Sequence, residues 1–139
     1  MLSRTLTLYI ALSFGMLPLV AAAQPAVPST KVTFKKGSAS ATVQGRLQGP
    51  NADTRDYVIR ASAAQKMSVE LQTQSTSTYF NVLAPGSEEA LYRGEAAGEP
   101  RWSGVLPVAG DYRVGVFLNR AAARQGKSAS YALKISVVD

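Results

Sequence analysis

The sequence predicts an all-β fold, an antiparallel β-sandwich or flattened barrel of about eight short strands. The main support is a repeated alternation of apolar and polar residues with a period of two, which is typical of strands that bury one face. Beyond the N-terminal segment, no helical pattern of about ten residues interrupts this alternation. Turn-forming residues separate the alternating segments at nearly regular intervals, as expected for consecutive antiparallel strands.

Residues 1–23 have the layout of a secretory signal peptide. Arg4 supplies a positive start, residues 6–20 form an apolar run, and three alanines ending at Ala23 provide small side chains for cleavage after that residue. Pro18 breaks the run, and its uninterrupted part is shorter than the roughly 20 residues that a spanning helix needs. Cleavage is therefore favoured over an uncleaved anchor, and the mature protein is expected to be exported and soluble, without membrane insertion.

The rest of the chain is expected to form one domain. Residues 24–30 contain prolines and precede the first alternating segment, so they are interpreted as a short leader. Residues 31–139 are assigned to a single sandwich domain. A domain of about this size buries roughly two-thirds of its unfolded surface, which suffices for one core without disulfides.

Four alternating segments occupy the first half of this domain. Each has polar residues between its apolar ones, so each is predicted to be a half-buried strand. The apolar positions are Val32 and Phe34 in the first segment, Ala41, Val43 and Leu47 in the second, Tyr57, Ile59 and Ala61 in the third, and Met67, Val69 and Leu71 in the fourth.

The second half repeats the pattern more strongly. Its predicted strands are residues 78–83, 91–93, 102–106, 112–118 and 131–137. Pro85 and Gly86 mark a turn after the first of them. Residues 119–124 contain three alanines that interrupt the strand pattern and could form a short helix, but this stretch is too short to change the fold class.

The composition excludes much chemistry. The 139 residues contain no cysteine and no histidine, which rules out a disulfide framework, a thiol nucleophile and a catalytic triad with histidine. Thiolate or imidazole metal ligands are excluded in the same way, so no metal site and no cofactor are predicted. The formal net charge of +6 becomes +5 when Arg4 leaves with the signal peptide.

The sequence also gives little support for an enzyme. Glycosidases need only two carboxylates, but Glu88 and Glu89 are adjacent and would point to opposite faces of a strand. The other acidic pairs lie in loop-like surroundings, where surface charges are seldom catalytic. No nucleophile elbow or phosphate-binding glycine loop is present. The chain is therefore predicted not to be an enzyme.

Basic residues concentrate near the C-terminus. Between positions 113 and 134 there are five, with no acidic residue among them: Arg113, Arg120, Arg124, Lys127 and Lys134. No helix-turn-helix accompanies them, and export removes the protein from most nucleic acid, so no nucleic-acid partner is predicted. Two alternatives stay open, a solvated basic loop and a site for another partner, since arginine is enriched at interface hot spots.

Several segments together resemble a known family. They are DYVIRA at residues 56–61, MSVEL at 67–71, TYFNVLAPG at 78–86, AGDYRVGVFLNRAAAR at 109–124 and SYALKISV at 130–137. In this combination the chain resembles the periplasmic proteinaceous lysozyme inhibitors of bacteria, with the inhibitors of i-type lysozyme nearest and the related inhibitors of g-type lysozyme next. The AGDYRVGV segment and the final strand also recur in sandwich modules of secreted peptidases, and the loop at residues 119–124 favours the inhibitors.

The resemblance implies a set of lysozyme-binding residues. The i-type inhibitors insert a Ser-Gly-x-Tyr loop into the enzyme cleft, and the matching positions are Gly110, Asp111 and Tyr112, preceded by Ala109 in place of the serine. The side chain of Tyr112 could equally belong to the core. In the g-type inhibitors two arginines four residues apart contact the enzyme. The matching loop begins at Asn119 and contributes Arg120 and Arg124.

The resemblance therefore predicts a periplasmic inhibitor that blocks the active-site cleft of lysozyme, i-type as first choice and g-type as second, and protects peptidoglycan. The i-type inhibitors pair as homodimers, so a homodimer is also raised as a partner state. The alternative is a non-inhibitory secreted module that binds glycan or an envelope protein. That alternative would be favoured if Trp102 and Tyr92 formed an exposed aromatic platform.

Overall fold

The computed structural model describes residues 26–139, together with Gly15, Pro18 and Leu19. Apart from those three positions, the predicted signal peptide lies outside the described residues. No helix in the described part of the chain is long and apolar enough to cross a membrane. The elements in residues 26–139 are β1 (Ser29–Lys31), β2 (Ser40–Gln48), β3 (Thr54–Ala61), β4 (Lys66–Thr73), β5 (Thr78–Leu83), β6 (Ala90–Arg93), α1 (Gly94–Ala97), β7 (Arg101–Val105), β8 (Gly110–Leu118), α2 (Arg120–Arg124) and β9 (Ser128–Val138).

The strands form two sheets. One has the order β1-β3-β8-β5-β6 and the other the order β2-β9-β4-β7. Strand β1 runs parallel to β3, and every other pair is antiparallel. Both sheets are open, and their apolar faces share one core. The predicted all-β sandwich is confirmed, whereas the flattened barrel is not formed.

The core follows the predicted alternation. In β8 and β9 every second side chain points inward, and Val114, Val116, Leu133 and Ile135 are completely buried. Such alternation is expected where each sheet covers the apolar face of the other.

Two tyrosines join the sheets through the core. Tyr57 of β3 and Tyr131 of β9 meet edge to face, and their hydroxyl oxygens are 2.6 Å apart. Burial and this hydrogen bond raise the pKa of Tyr131 above its ordinary value. A buried hydroxyl needs such a partner because leaving it unpaired would cost free energy.

The first strand differs from its prediction. The alternation of Val32 and Phe34 predicted a strand at residues 32–34, whereas the residues in register with β3 are Ser29–Lys31. The Val32 N–H continues this pairing by donating to the carbonyl of Val58 at 2.8 Å. Val32 is nevertheless buried and Phe34 packs against the core. The pattern therefore identified the buried side chains correctly. Two of the three paired residues, Ser29 and Thr30, lie in the segment interpreted as a leader.

The two helices are both short. Helix α2 occupies Arg120–Arg124, where the alanines predicted a helical turn. Helix α1 was not predicted and follows β6 directly. Its first residue, Gly94, lies so close to the backbone of Phe80 that a Cβ atom would be 2.4 Å from the Phe80 carbonyl oxygen. The glycine thus allows α1 to fold back against β5.

Candidate functional site

Helix α2 presents the two predicted arginines at one end of the sandwich. Arg120 and Arg124 are exposed, while Ala122 and Ala123 of the same helix are buried. Positions four apart lie on the same helical face, so the two guanidinium groups project from one side. The alternation of small buried residues with long charged ones fixes α2 to the core and leaves both arginines in solvent.

Asn119 begins this helix as its N-cap. Its backbone is extended, and its side-chain Oδ1 accepts a hydrogen bond of 2.9 Å from the backbone N–H of Ala122. The Asn119 backbone N–H also donates to the carbonyl of Ser77, at 2.8 Å. Asn119 is therefore a residue that positions α2, because its side chain satisfies an N–H that the helix itself cannot satisfy.

A close backbone approach holds the other side of α2. A Cβ atom at Gly49 would lie 2.2 Å from the carbonyl oxygen of Ala123, so only glycine fits there. The Gly49 N–H donates to the carbonyl of Lys127, at 2.9 Å. Together with the cap at Asn119, this contact fixes α2 against the loop that follows β2.

A surface groove of about 360 Å³ runs beside α2. Both arginines line it, and Phe117 of β8 supplies an aromatic wall. The complete lining is Pro50, Asp53, Glu95, Phe117, Leu118, Arg120, Ala123 and Arg124. Two acids thus share a groove with two arginines, and neither acid was included in the predicted site, because Asp53 and Glu95 are distant from α2 in sequence.

The arginines of α2 remain available to a partner. Within residues 26–139 the ion pairs are Arg60–Asp111, Arg101–Glu70 and Arg113–Asp56, and none includes Arg120 or Arg124. Asp53 and Glu95 share the groove but form no ion pair with either arginine, and a guanidinium group outside an ion pair keeps its planar donor fork free for a carboxylate of another molecule.

The second predicted group of residues lies elsewhere. Gly110 begins β8 and Leu118 ends it, so Gly110 and α2 are separated by the length of the strand. At about 3.4 Å per residue this length is roughly 27 Å. The structure therefore does not bring Gly110, Asp111 and Tyr112 together with the arginines, although all were assigned to one site.

Tyr112 belongs to the core. Its side chain is completely buried, and its hydroxyl donates to the carbonyl of Val108 at 2.6 Å. The Val108 N–H donates back to the same hydroxyl at 3.3 Å. The sequence left two roles open for Tyr112, a core residue or a contact with the enzyme. The structure shows the core residue, which corrects the prediction that its side chain contacts an enzyme directly. The ring cannot reach a partner while the sandwich stays folded.

Gly110 and Asp111 have structural roles at this same end. Gly110 has a backbone φ of +145°, which residues other than glycine seldom adopt. A Cβ atom at this position would also lie 2.9 Å from the side chain of Pro85. Asp111 is exposed and pairs with Arg60 at 3.4 Å. An ion pair between exposed groups contributes little to stability.

The predicted basic region does not form one patch. Arg113 lies on the outer face of the five-stranded sheet, where it pairs with Asp56 at 3.8 Å. Lys134 lies in β9 of the other sheet, in register with Glu70. Consecutive strands of a sandwich separate charges that are close in sequence, and only Arg120, Arg124 and Lys127 remain near α2.

The aromatic platform of the alternative function is not formed by the predicted pair. Tyr92 and Trp102 are half-buried and pack against the core, with ring centroids 6.3 Å apart. The Tyr92 hydroxyl donates to the carbonyl of Glu99. In the described residues no cluster of three or more acidic side chains is arranged to hold a metal ion.

Comparison with known proteins gives a consistent set of relatives. No family model matches the chain. Among curated proteins, the Inhibitor of g-type lysozyme from Escherichia coli (strain K12) is 29% identical over 113 residues, covering 78% of this chain and 80% of the relative. This relative is by name an inhibitor rather than an enzyme, as the sequence predicted for this chain.

Solved structures extend this similarity. Aeromonas hydrophila PliG, described as a periplasmic lysozyme inhibitor of g-type lysozyme, is 36% identical, with a TM-score of 0.72 over 80% of this chain and 96% of its own. Salmonella Typhimurium PliG, described in the same words, is 26% identical, with a TM-score of 0.64 over 81% and 99%. A pre-peptidase C-terminal domain of collagenase from Bacillus anthracis is 12% identical with a TM-score of 0.57, and so shares the fold alone.

Proposed function

The chain belongs to the family of periplasmic inhibitors of g-type lysozyme, and we propose that it inhibits a g-type lysozyme in the periplasm by placing helix α2 at the active-site cleft. The proposed result is protection of peptidoglycan from hydrolysis. The sequence placed the i-type enzyme first, but the relatives are inhibitors of the g-type enzyme, and this supports the second choice.

The observation that carries the proposal is the presentation of Arg120 and Arg124. They project from the same face of an exposed helix, and no acid of the described chain pairs with them. Buried Ala122 and Ala123, with the cap at Asn119, fix the helix before any partner binds. A preorganised loop loses less conformational entropy on binding, which favours affinity.

The chemistry of the target fits these side chains. A glycoside hydrolase holds a carboxylic acid beside the bond that it cleaves. A guanidinium group can donate two parallel hydrogen bonds to such a carboxylate, and in a water-poor cleft these charge-assisted bonds are strong. Arg120 or Arg124 can therefore bind the carboxylate of the catalytic acid, while Phe117 and the rest of the groove wall exclude the sugar.

The opposite end of the sandwich has fewer side chains that could bind in the active-site cleft of lysozyme. Tyr112 is buried, and Ala109 lacks the hydroxyl of the serine that the i-type inhibitors carry. These features support the α2 end as the inhibitory surface.

A lysis assay tests the proposal. Purified protein is added to g-, i- and c-type lysozymes acting on a peptidoglycan suspension, and the loss of turbidity is followed. We expect strong inhibition of the g-type enzyme and weaker or no inhibition of the other two. Absence of inhibition of the g-type enzyme at micromolar protein would overturn the proposed function.

Alanine variants test the site. Arg120→Ala and Arg124→Ala are each expected to weaken inhibition by about 1–3 kcal/mol, or roughly 5- to 150-fold, because each removes a charged contact. Their melting temperatures should stay near that of the wild type, since both side chains are exposed. Arg60→Ala is the matched control, an exposed arginine at the other end. Equal inhibition by all three variants would place the contact surface elsewhere.

A further inference from the structure

A second cavity, of about 530 Å³, opens at the same end of the sandwich, beside the residues that follow α2. Three parts of the chain meet there: the end of β2, the loop between β4 and β5, and the start of β9 with the residue before it. The lining residues are Arg46, Gln74, Ser75, Thr76, Ser77, Lys127, Ser128, Ala129 and Ser130. None of them belongs to the groove beside Arg120 and Arg124.

The lining combines positive charge with hydroxyl groups. Arg46 and Lys127 are its charged members, and it contains no carboxylate, in contrast to the α2 groove with its Asp53 and Glu95. Uncompensated positive charge in a concave site raises the local concentration of anions. Hydroxyls and one amide provide most of the remaining polar surface, and such groups both donate and accept hydrogen bonds.

Local hydrogen bonds hold this lining in place. The Arg46 guanidinium donates to the hydroxyl of Ser128 at 3.1 Å. The Ser75 hydroxyl accepts from the Ser77 N–H at 3.2 Å and from the Thr78 hydroxyl at 2.8 Å, which orders the loop. The cavity walls therefore have a defined shape without a ligand.

We propose that this cavity binds a phosphorylated saccharide. A phosphate monoester carries about −1.5 to −2 charges at neutral pH and accepts charge-assisted hydrogen bonds, which suits Arg46 and Lys127. The cavity volume lies in the range of about 300–1,000 Å³ that is usual for small-molecule sites, so a bare phosphate would leave most of it empty. Ser75, Thr76 and Ser130 line the same cavity, and their hydroxyls can exchange hydrogen bonds with those of an attached sugar.

The test is a titration followed by NMR. Isotope-labelled protein in phosphate-free buffer is titrated separately with glucose-6-phosphate, glucose and inorganic phosphate, and the backbone amides of the loop at residues 74–77 and of residues 127–130 are observed. We expect these amides to shift with glucose-6-phosphate, with affinity at least about tenfold higher than for glucose or for inorganic phosphate.

Paired charge variants make the test specific. The double variant Arg46→Gln/Lys127→Gln is expected to weaken binding at least about tenfold, because both charged donors are lost. Arg60→Gln/Lys66→Gln removes the same charge from exposed positions at the other end and is expected to leave the affinity within about twofold. All four positions are exposed, so the fold should survive.

Three results would overturn the proposal. The first is that none of these amides shifts with glucose-6-phosphate. The second is that both double variants weaken the binding of glucose-6-phosphate equally. The third is that inorganic phosphate binds as tightly as glucose-6-phosphate, which would indicate an anion site without a saccharide. Because the readout contains no lysozyme, failure here leaves the proposed inhibition untouched, and failure of inhibition leaves this site untouched.

Discussion

The hydroxyl of Tyr112 ties the turn before β8 to the core. It bonds to both the carbonyl and the N–H of Val108, while the ring fills the interior completely. Replacing tyrosine by phenylalanine keeps the ring and removes only these two bonds. The variant thus separates a structural role from a contact role, which truncation to alanine would not do, because a core cavity could unfold the domain.

We expect Tyr112→Phe to lower the free energy of unfolding by about 1–3 kcal/mol, because it removes two hydrogen bonds whose usual net contribution is about 0.5–1.5 kcal/mol each. Inhibition of g-type lysozyme should be unchanged, since the hydroxyl faces the protein interior. Urea denaturation and the lysis assay measure the two quantities. Lost inhibition with unchanged stability would show that Tyr112 acts on the enzyme after all.

Asp56 is a partly buried carboxyl on the outer face of the five-stranded sheet. Burial raises its pKa above the ordinary value of 3.8, and Arg113, at 3.8 Å, lowers it in part. The folded state therefore holds the Asp56 proton more tightly than the unfolded state does. By linkage, this group's contribution to stability is fully present below pH 3.8 and is lost as pH rises through the folded pKa.

Asp56→Asn removes this titration. Relative to the wild type, the variant is expected to gain stability as pH rises from about 3 to 7, because only the wild type must ionise a desolvated carboxyl. The loss of the Arg113 pair shifts the difference by a nearly constant amount once the carboxyl is ionised. Urea denaturation at several pH values measures the difference, and a difference that falls over this range would contradict the assignment.

At the scale of the element, the geometry of helix α2 depends on its N-terminal cap and on its packing. A helix of five residues is too short to be stable alone, so its cap and its packing determine its geometry. Asn119 was predicted as a contact residue, but its side chain accepts the capping hydrogen bond. The same residue could still touch an enzyme, and a pair of substitutions distinguishes the two roles.

Asn119→Ala is expected to weaken inhibition and to lower the free energy of unfolding by about 0.5–2 kcal/mol, because the cap is lost. Asn119→Ser keeps a good capping group and should restore both quantities most of the way. Inhibition constants and thermal melting curves of the two variants provide the comparison. If the serine variant inhibits as poorly as the alanine variant, Asn119 contacts the enzyme directly.

The elements also show what alternation can and cannot predict. A period of two reports which side chains enter the core, and it identified the inward residues of β8 and β9 correctly. It does not report which backbone groups are paired. The register of β1 ends at Lys31, one residue before buried Val32, and the parallel pairing of β1 with β3 depends on a partner that is distant in sequence.

The candidate site was predictable in part for a similar reason. The resemblance supplied Arg120 and Arg124, and the three alanines between them predicted a helical turn, which puts positions four apart on one face. The acids of their groove, Asp53 and Glu95, come from distant loops and become neighbours only through the fold. Gly110 lies nearer to the arginines in sequence than either acid does, yet an entire strand separates it from them.

At the scale of the whole molecule, the sandwich has two ends that one lysozyme cleft cannot use together. A typical interface covers about 800 Å² per partner, which corresponds to a circular patch of roughly 16 Å radius. The length of β8, about 27 Å, is well beyond that radius. An enzyme centred on α2 should therefore leave the turn before Gly110 in solvent.

The absence of cysteine makes this geometry testable with a bulky label. Ala109 and Ala121 are both exposed alanines, one at each end, so Ala109→Cys and Ala121→Cys are matched sites for attaching a long polyethylene glycol chain. We expect the label at position 121 to reduce inhibition at least about 100-fold by steric exclusion, and the label at 109 to change it by no more than about twofold. The unlabelled variants, which should inhibit normally, control for the substitutions. Inhibition blocked from position 109 but not from position 121 would move the lysozyme-binding surface to the opposite end of the sandwich, because only the end that meets the enzyme is sensitive to a bulky group.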